Sequence, residues 1–175
     1  MSTTKRIRVW DLPQRVFHWS LVACFATAWL TAEDAGRLHQ WAGYGALGLV
    51  GFRLVWGFIG SRHARFSDFV PTPGALMDYL RRLVRRTEPA YLGHNPAAAV
   101  MILFLLAMVG LIGATGWWLT TDAGWGNSFF EETHGLLAEL TLAAVAVHVM
   151  AAIYESLHLR ENLVRAMIDG HKRAR

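Results

Sequence analysis

The sequence predicts an all-α integral membrane protein, a four-helix bundle with a cytoplasmic amphipathic helix between the second and third spans. Three observations predict this class. Of the 175 residues, 54% are hydrophobic, and the apolar residues concentrate in four long runs. The eight tryptophans lie mostly where these runs begin or end, as expected at a membrane interface. No repeat or linker separates a second domain, so residues 1–175 are interpreted as a single membrane domain.

The positions of the basic residues predict the orientation of the four spans. The net charge is +4, and fourteen of the seventeen Lys and Arg residues lie before the first run, between the second and third, or after the fourth. The other two connections carry Arg37 and several acidic residues. This asymmetry follows the positive-inside rule with both termini in the cytoplasm, so no nucleic-acid partner is expected. The fourteen residues are Lys5, Arg6, Arg8, Arg62, Arg65, Arg81, Arg82, Arg85, Arg86, Arg160, Arg165, Lys172, Arg173 and Arg175.

The first span is predicted from Arg15 to about Thr31, with Pro13 suited to the start of the helix. A basic segment before an apolar run also fits a signal peptide. Arg15 and His18 within the run, together with the length of the run, favour a retained span.

The second and third spans differ in composition. The second, 38–60, contains five glycines up to Gly57, which allow another helix or a flat macrocycle to approach closely. The third, from Asn95-Pro96 to about Thr120, has no histidine and no charge, which is typical of a packing helix.

A helix starting at Thr72-Pro73 is predicted in the connection 61–95, because apolar residues would lie along one side of it and four arginines along the opposite side. This pattern favours a helix that lies on the anionic inner leaflet, with docking onto a cytoplasmic protein as the alternative.

The fourth run, from His134 to His158 with Thr133 as the predicted cap, indicates a function. His134 and His148 lie fourteen residues apart, nearly four helical turns and about 21 Å, so both rings emerge from almost the same face at two depths. A polar ring inside lipid is costly and normally has a partner or a function.

Two further histidines match these depths when the spans alternate in direction. His39 lies near the outer start of the second span, at the depth of His134. His18 lies near the inner start of the first span, at the depth of His148. The sequence therefore predicts two metal sites, ligated by His39 with His134 and by His18 with His148.

Two imidazoles with no further protein ligand favour an iron porphyrin. Zinc and di-iron sites need more protein ligands, whereas haem supplies four equatorial nitrogens and requires only axial ligands. Cys24 is the single cysteine, which excludes the Cys-x-x-Cys-His attachment of a c-type haem. We therefore predict two b-type haems suited to electron transfer. The alternative of a different class is a non-redox transporter or anchor with histidines along a polar pathway.

Arg53 is a further candidate for cofactor binding. It lies fourteen residues after His39, on the same helix face and at the inner depth. Its guanidinium could pair with a propionate of the inner haem or extend to the inner interface. The remaining histidines, His63, His94, His158 and His171, are expected to be solvated, with His158 the alternative ligand to His148.

Segments along nearly the whole chain share the pattern of a known family. They are Val9-Trp10-Asp11 with Arg15 and His18-Trp19, the glycine-rich span opened by His39, the His134 and His148 pair, and the tail from Arg160 to Met167 with Gly170. Together they resemble the bacterial cytochrome b561 family, which includes the membrane cytochrome b subunits of nickel–iron hydrogenases.

The resemblance implies a bacterial inner-membrane protein with two haems b. It implies electron transfer between a quinone, either ubiquinone or menaquinone, and a periplasmic partner such as a c-type cytochrome, and it is compatible with an oligomer. The alternatives are a superoxide:ubiquinone oxidoreductase and a hydrogenase membrane anchor. Hydrogenase cytochromes of this family often have an additional helix, and the acidic outer loops would attract superoxide poorly.

Overall fold

The computed structural model describes residues 6–34 and 36–174, and this part of the chain is almost entirely helical. Lys5 and Arg175, which belong to the predicted basic groups, and Ala35 of the first outer loop lie outside the described residues. The elements in chain order are β1 (Arg6–Arg8), α1 (Leu12–Leu30), α2 (Arg37–Ile59), a short 3₁₀ helix (Arg62–Ala64), α3 (Phe66–Phe69), α4 (Pro73–Val84), α5 (Pro96–Leu119), α6 (Ser128–His158), α7 (Leu163–Asp169) and β2 (His171–Arg173).

Three of the described helices are long and apolar enough to cross a membrane, namely α2, α5 and α6. They coincide with the second, third and fourth predicted spans. The helix α1 covers the predicted first span but does not reach the same apolar content, since Gln14, Arg15 and His18 occupy its first two turns.

Side-chain caps explain where two of these helices begin. Asp11 Oδ1 accepts a hydrogen bond of 2.7 Å from the backbone N–H of Gln14, in the first turn of α1. Asn95 Oδ1 accepts a bond of 2.8 Å from the N–H of Ala98, in the first turn of α5. Each cap satisfies a backbone donor that has no partner within the helix.

The predicted start of the fourth helix at Thr133 is wrong, because α6 begins at Ser128. Asn127 Oδ1 accepts a hydrogen bond of 3.3 Å from the N–H of Phe130 and so provides the cap. The Thr133 hydroxyl instead donates to the carbonyl of Phe129 at 2.7 Å, a bond made inside an existing helix.

The chain forms two compact units, and the second comprises residues 16–54 and 104–146. Ala42, Ala46 and Val50 are buried along one face of α2 within this unit. Gly113 of α5 faces Leu47, where an added Cβ would lie 2.9 Å from the Leu47 side chain. Small residues therefore allow these two helices to approach closely.

The first unit comprises residues 6–15, 55–103 and 147–174. In it β1 pairs antiparallel with β2, with Ile7 opposite Lys172. The carbonyl of Gly170 accepts hydrogen bonds from the N–H groups of Val9 and Trp10 at 2.9 and 3.1 Å. Gly170 has a φ of +81°, which ends α7 and turns the chain into β2. The two ends of the described chain are thereby joined.

Candidate haem-binding site

The second unit brings His39 of α2 and His134 of α6 together. Their ring centres are 6.1 Å apart and their planes are inclined by 74°. Two imidazoles on opposite sides of one metal, each with a metal–nitrogen bond of about 2 Å, would have ring centres roughly 6 Å apart. The spacing of this predicted pair therefore fits axial ligation of one metal ion.

The tautomer of His39 is set by a backbone contact. Its Nδ1–H donates to the carbonyl oxygen of Ala28, near the end of α1, at 2.8 Å. A carbonyl can only accept, so the proton belongs on Nδ1 and the lone pair on Nε2. This is the arrangement that outer contacts impose on metal-ligating histidines.

His134 has an equivalent contact with Thr115 of α5. The Thr115 hydroxyl lies 3.0 Å from His134 Nδ1. The same hydroxyl donates to the carbonyl of Leu111 at 2.9 Å, within its own helix. Because its proton is used there, the Thr115 oxygen accepts from the Nδ1–H of His134, and Nε2 again carries the lone pair.

Glycines leave room around both rings. A Cβ added at Gly116 would lie 2.9 Å from His134 Cε1, closer than real carbon contacts allow. A Cβ added at Gly43, one turn after His39 on the same helix, would meet no heavy atom within 4 Å. Gly116 therefore lets the backbone of α5 approach the His134 ring closely, and the space beside Gly43 is open. Both features suit a flat macrocycle.

The donor set argues against a metal held by side chains alone. Across residues 6–34 and 36–174, no group of three or more His, Cys, Asp or Glu side chains could hold a metal ion. A metal between His39 and His134 must therefore bring its remaining ligands with it, as the iron of haem does. These residues fit haem.

The other predicted ligands lie apart from this pair along the chain. His18 of α1 is half-buried, with its ring centre 5.1 Å from that of Trp19. His148 of α6 is also half-buried and belongs to the first unit, whereas His18 belongs to the second. The pairing of His18 with His148 stays a prediction.

Arg53 of α2 is fully buried, with 0% of its surface exposed. A side chain that extended to the membrane interface would be exposed to water at its tip. The extension of Arg53 to the interface, one of the two alternatives for this residue, is therefore wrong. A buried guanidinium is compatible with the other alternative, a pair with an acidic group.

Of the remaining histidines, which were expected to be solvated, His158 and His171 keep 38% and 41% of their side-chain surface exposed, whereas His63 and His94 are partly buried against other side chains. His63 Nδ1–H donates to Asp68 at 3.0 Å. Burial raises the pKa of the Asp68 carboxyl, but hydrogen bonds from His63 and Arg62 outweigh it and hold that pKa below its usual value. His94 packs its ring against those of Trp10 and Phe69, at 4.5 and 5.0 Å.

His158 belongs to a cluster of titratable side chains in the first unit. Its Nε2 lies 3.2 Å from Oε1 of Glu88, whose side chain is only 4% exposed, although the geometry falls short of a hydrogen bond. Its ring stacks on Tyr154 at 5.9 Å. Burial, then the charges of Glu155 and Glu88, raise the pKa of Tyr79. Loop residues such as Glu88 carry no local pattern, so the sequence did not reveal this cluster.

The architecture and the histidine pair define a class, a helical membrane protein with an imidazole pair suited to hold haem. The sequence model of the family described as prokaryotic cytochrome b561 matches residues 9–170. The chain therefore belongs to the prokaryotic cytochrome b561 family, and the sequence-based resemblance is confirmed. It is a b-type cytochrome of the membrane, and electron transport is the function of its class.

Several relatives share this family. The chain is 31% identical to a "Probable Ni/Fe-hydrogenase B-type cytochrome subunit" of Cupriavidus necator, over 98% of this chain and 88% of the relative. It is 27% identical to the protein of that description from Rhodobacter capsulatus, over 95% and 81%. A "Probable Ni/Fe-hydrogenase 1 B-type cytochrome subunit" of Escherichia coli is 25% identical, over 94% and 89%. No solved structure matches the chain.

Proposed function

We propose that the chain is a dihaem cytochrome b that conducts electrons across the bacterial inner membrane, between the quinone pool and a periplasmic redox partner. The observation that supports it best is the 6.1 Å spacing of His39 and His134. In this proposal those two residues hold one haem b, and His18 and His148 hold the other. Bound haem supplies reversible one-electron chemistry at its iron.

The protein's part in this function is to hold and orient ligands. The contacts with Ala28 and Thr115 fix the His39 and His134 rings before a cofactor binds. His39 and His134 would hold the haem between them, and a haem held by two histidines would be suited to electron transfer. The quinone, ubiquinone or menaquinone, takes up the protons that accompany its reduction.

Arg53 is proposed to bind a propionate of the second haem. Its guanidinium is fully buried on α2, fourteen residues after His39. A buried cation costs less free energy beside an anion, and a guanidinium binds a carboxylate through two parallel hydrogen bonds.

The proposed topology has four spans, with α1 as the first and both termini in the cytoplasm. The uneven distribution of Lys and Arg supports this orientation. The helix α4 is proposed to lie on the inner leaflet. Met77, Leu80 and Val84 are 51%, 37% and 86% exposed on it, beside a group of arginines that suits anionic lipid.

The periplasmic partner has two candidates. A c-type cytochrome with a basic docking surface fits the acidic outer loops, since opposite charges favour association. A nickel–iron hydrogenase is the second candidate, because the relatives are described as its cytochrome subunits. The match to the Rhodobacter capsulatus relative runs over 214 positions, more than the 175 residues of this chain. That relative therefore has extra residues inside the match, which we propose contribute to its choice of partner.

Spectroscopy of the purified protein tests the proposal. The reduced-minus-oxidised absorbance spectrum should show a b-type α band, and haem extraction should give about two haems per chain. Addition of a quinol should reduce both haems without dithionite. A colourless preparation would overturn the proposal, and a coloured one that no quinol reduces would overturn the quinone as substrate.

Replacement of His148 tests the second site. His148→Ala should lose one haem and keep the other, because His39 and His134 are unchanged. His158→Gln is the matched control at the end of the same helix and should keep both haems. Retention of two haems by His148→Ala would contradict its assignment as a ligand.

A further inference from the structure

A basic cleft of about 290 Å³ opens in the first unit, between the terminal strands and α7. Its lining presents three guanidinium groups and one imidazole against a single carboxylate. The lining residues are Arg6, Glu161, Asn162, Arg165, Ala166, His171 and Arg173. The excess of hydrogen-bond donors and positive charge makes this cleft suited to an anion.

The nearby carboxylates are already engaged. Glu161 Oε1 accepts the backbone N–H of Arg173 at 2.5 Å. Asp169 accepts the N–H of His171 at 2.9 Å and pairs with Arg6 at 2.6 Å. These contacts, that of the His171 N–H first, hold the pKa of the Asp169 carboxyl below its usual value. Asp169 therefore neutralises part of the positive charge of Arg6 and Arg165, and basic side chains remain in excess at the cleft.

Arg165 is the basic group best placed to bind a ligand. Its side chain is 72% exposed, and its contact with Asp169 is a long one of 3.5 Å. An exposed pair at this distance contributes little to stability. The guanidinium of Arg165 can therefore turn toward a phosphate at low cost.

An apolar groove of about 340 Å³ adjoins the basic cleft and shares Glu161 and Asn162 with it. Its apolar wall consists of exposed side chains, with Ile153 at 50%, Leu157 at 75% and Val164 at 46% exposure. The other lining residues of the groove are Ser156 and Arg160. A ligand that filled both spaces would have an anionic head and an apolar tail.

The helix α6 is long enough for its last turns to extend beyond the hydrocarbon core of a membrane. With 31 residues the helix is about 46 Å long, against a hydrocarbon core of about 30 Å. At least one end of α6 therefore extends into the headgroup region, and the groove lies along its last turns. Charged side chains at this depth are typical contacts of anionic lipids.

We propose that the basic cleft and the apolar groove form one binding site for an anionic phospholipid. The phosphate lies among Arg6, Arg165 and Arg173, and an acyl chain lies along Leu157 and Val164. In this proposal the bound lipid anchors the paired strands β1 and β2 to the bilayer. The site involves none of the proposed haem ligands, so lipid binding at this site can be tested independently of the redox function.

Native mass spectrometry of the full chain, purified with its cofactors in a zwitterionic detergent, tests the site. Phosphatidylglycerol and phosphatidylcholine with identical acyl chains are titrated separately. One phosphatidylglycerol should bind at least about tenfold more tightly, the equivalent of one charge-assisted contact. Arg165→Gln should remove most of that preference. Leu157→Ser should weaken the binding of long-chain phosphatidylglycerol and leave the preference for the anionic headgroup.

Arg82→Gln is the matched control, since it removes an exposed arginine of α4 outside the cleft and should leave the preference intact. An equal loss in Arg82→Gln and Arg165→Gln would show diffuse attraction and overturn the proposal. Displacement of the lipid by millimolar inorganic phosphate would show a simple anion site and would also overturn it. If Arg165→Gln lowered the melting temperature, Arg173→Gln at the same cleft would provide the second test.

Discussion

The histidines of the two units differ in what holds their rings. In the second unit the Nδ1 atoms of His39 and His134 contact neutral oxygens, a backbone carbonyl and a hydroxyl. In the first unit His63 and His158 lie beside carboxylates. An acceptor at Nδ1 orients the ring and leaves Nε2 available to a metal, whereas the Nε2 atom of His158 itself lies beside Glu88. The contacts of the ring therefore separate candidate ligands from structural histidines better than the residue type does.

Removal of one histidine from each unit should have the largest effect. His134→Ala should lose one of the two proposed haems completely, because it removes one of the two rings that are proposed to hold that haem. His63→Gln should keep both haems and change only the stability of its loop. The measurement is haem per chain by extraction, together with the amplitude of the α band. Equal haem contents in the two variants would remove the distinction between the units.

The apolar helices were the part of the fold that sequence reasoning predicted well. Long hydrophobic runs place α2, α5 and α6 within a few residues at most ends. The start of α6 was missed because its first turn is polar, and hydropathy assigns such a turn to the preceding loop. The helix begins there because Asn127 caps it. Pairing of β1 with β2 was missed because it joins Arg6 to Arg173, and no local pattern reports so distant a contact.

The candidate site was predicted in part. Helical spacing and alternating span direction predicted that His39 and His134 lie close together, and their ring centres are 6.1 Å apart. The contacts of their Nδ1 atoms were not predictable, because Ala28 and Thr115 have no distinctive sequence signal. The burial of Arg53 was not predictable either. The sequence does not show whether neighbouring helices cover a long side chain near an interface or whether that side chain extends to the interface.

Thr115→Val tests the neutral contact of His134 directly. Valine keeps the shape of threonine and removes the acceptor, so the ring should lose its orientation and donate less strongly to a metal. Loss of such an outer contact costs about 10- to 100-fold in affinity. Haem retention on dilution should fall for one haem only, and its midpoint potential should rise.

The control for Thr115→Val is Thr133→Val on α6. The Thr133 hydroxyl donates only to the Phe129 carbonyl among the described contacts. This variant should leave haem retention and both potentials unchanged. A similar loss in the two variants would mean that Thr115 acts through helix stability alone.

Gly116→Ala should have a smaller effect on the same ring. The new methyl group would lie 2.9 Å from His134 Cε1, so the ring or the helix must shift. Overpacking of this kind costs about 1–3 kcal/mol. We expect broadened or shifted α-band absorbance and a partial loss of one haem. Gly48→Ala, at an exposed position with open space around it, is the control and should leave the spectrum unchanged.

Asp11→Asn should have the smallest effect, and it tests whether the contacts of Asp11 contribute to stability alone. Asp11 accepts bonds from the N–H of Gln14 at 2.7 Å and from the Trp56 indole at 3.1 Å. Burial raises the pKa of Asp11, but hydrogen bonds from Ser61, Gln14 and Trp56 outweigh it and lower the pKa below 3.8. Asparagine keeps the acceptor and loses the charge, so the melting temperature should fall by the equivalent of about 1 kcal/mol.

The difference in melting temperature between wild type and Asp11→Asn should depend on pH. A carboxyl whose pKa is lowered in the folded state stabilises the protein above its unfolded value and loses that contribution as the pH falls through the folded value. Wild type and Asp11→Asn should therefore differ most near neutral pH and converge below the ordinary value of 3.8. Haem content should be equal in both proteins at neutral pH. A loss of haem in Asp11→Asn would show that the contacts of Asp11 also govern cofactor retention.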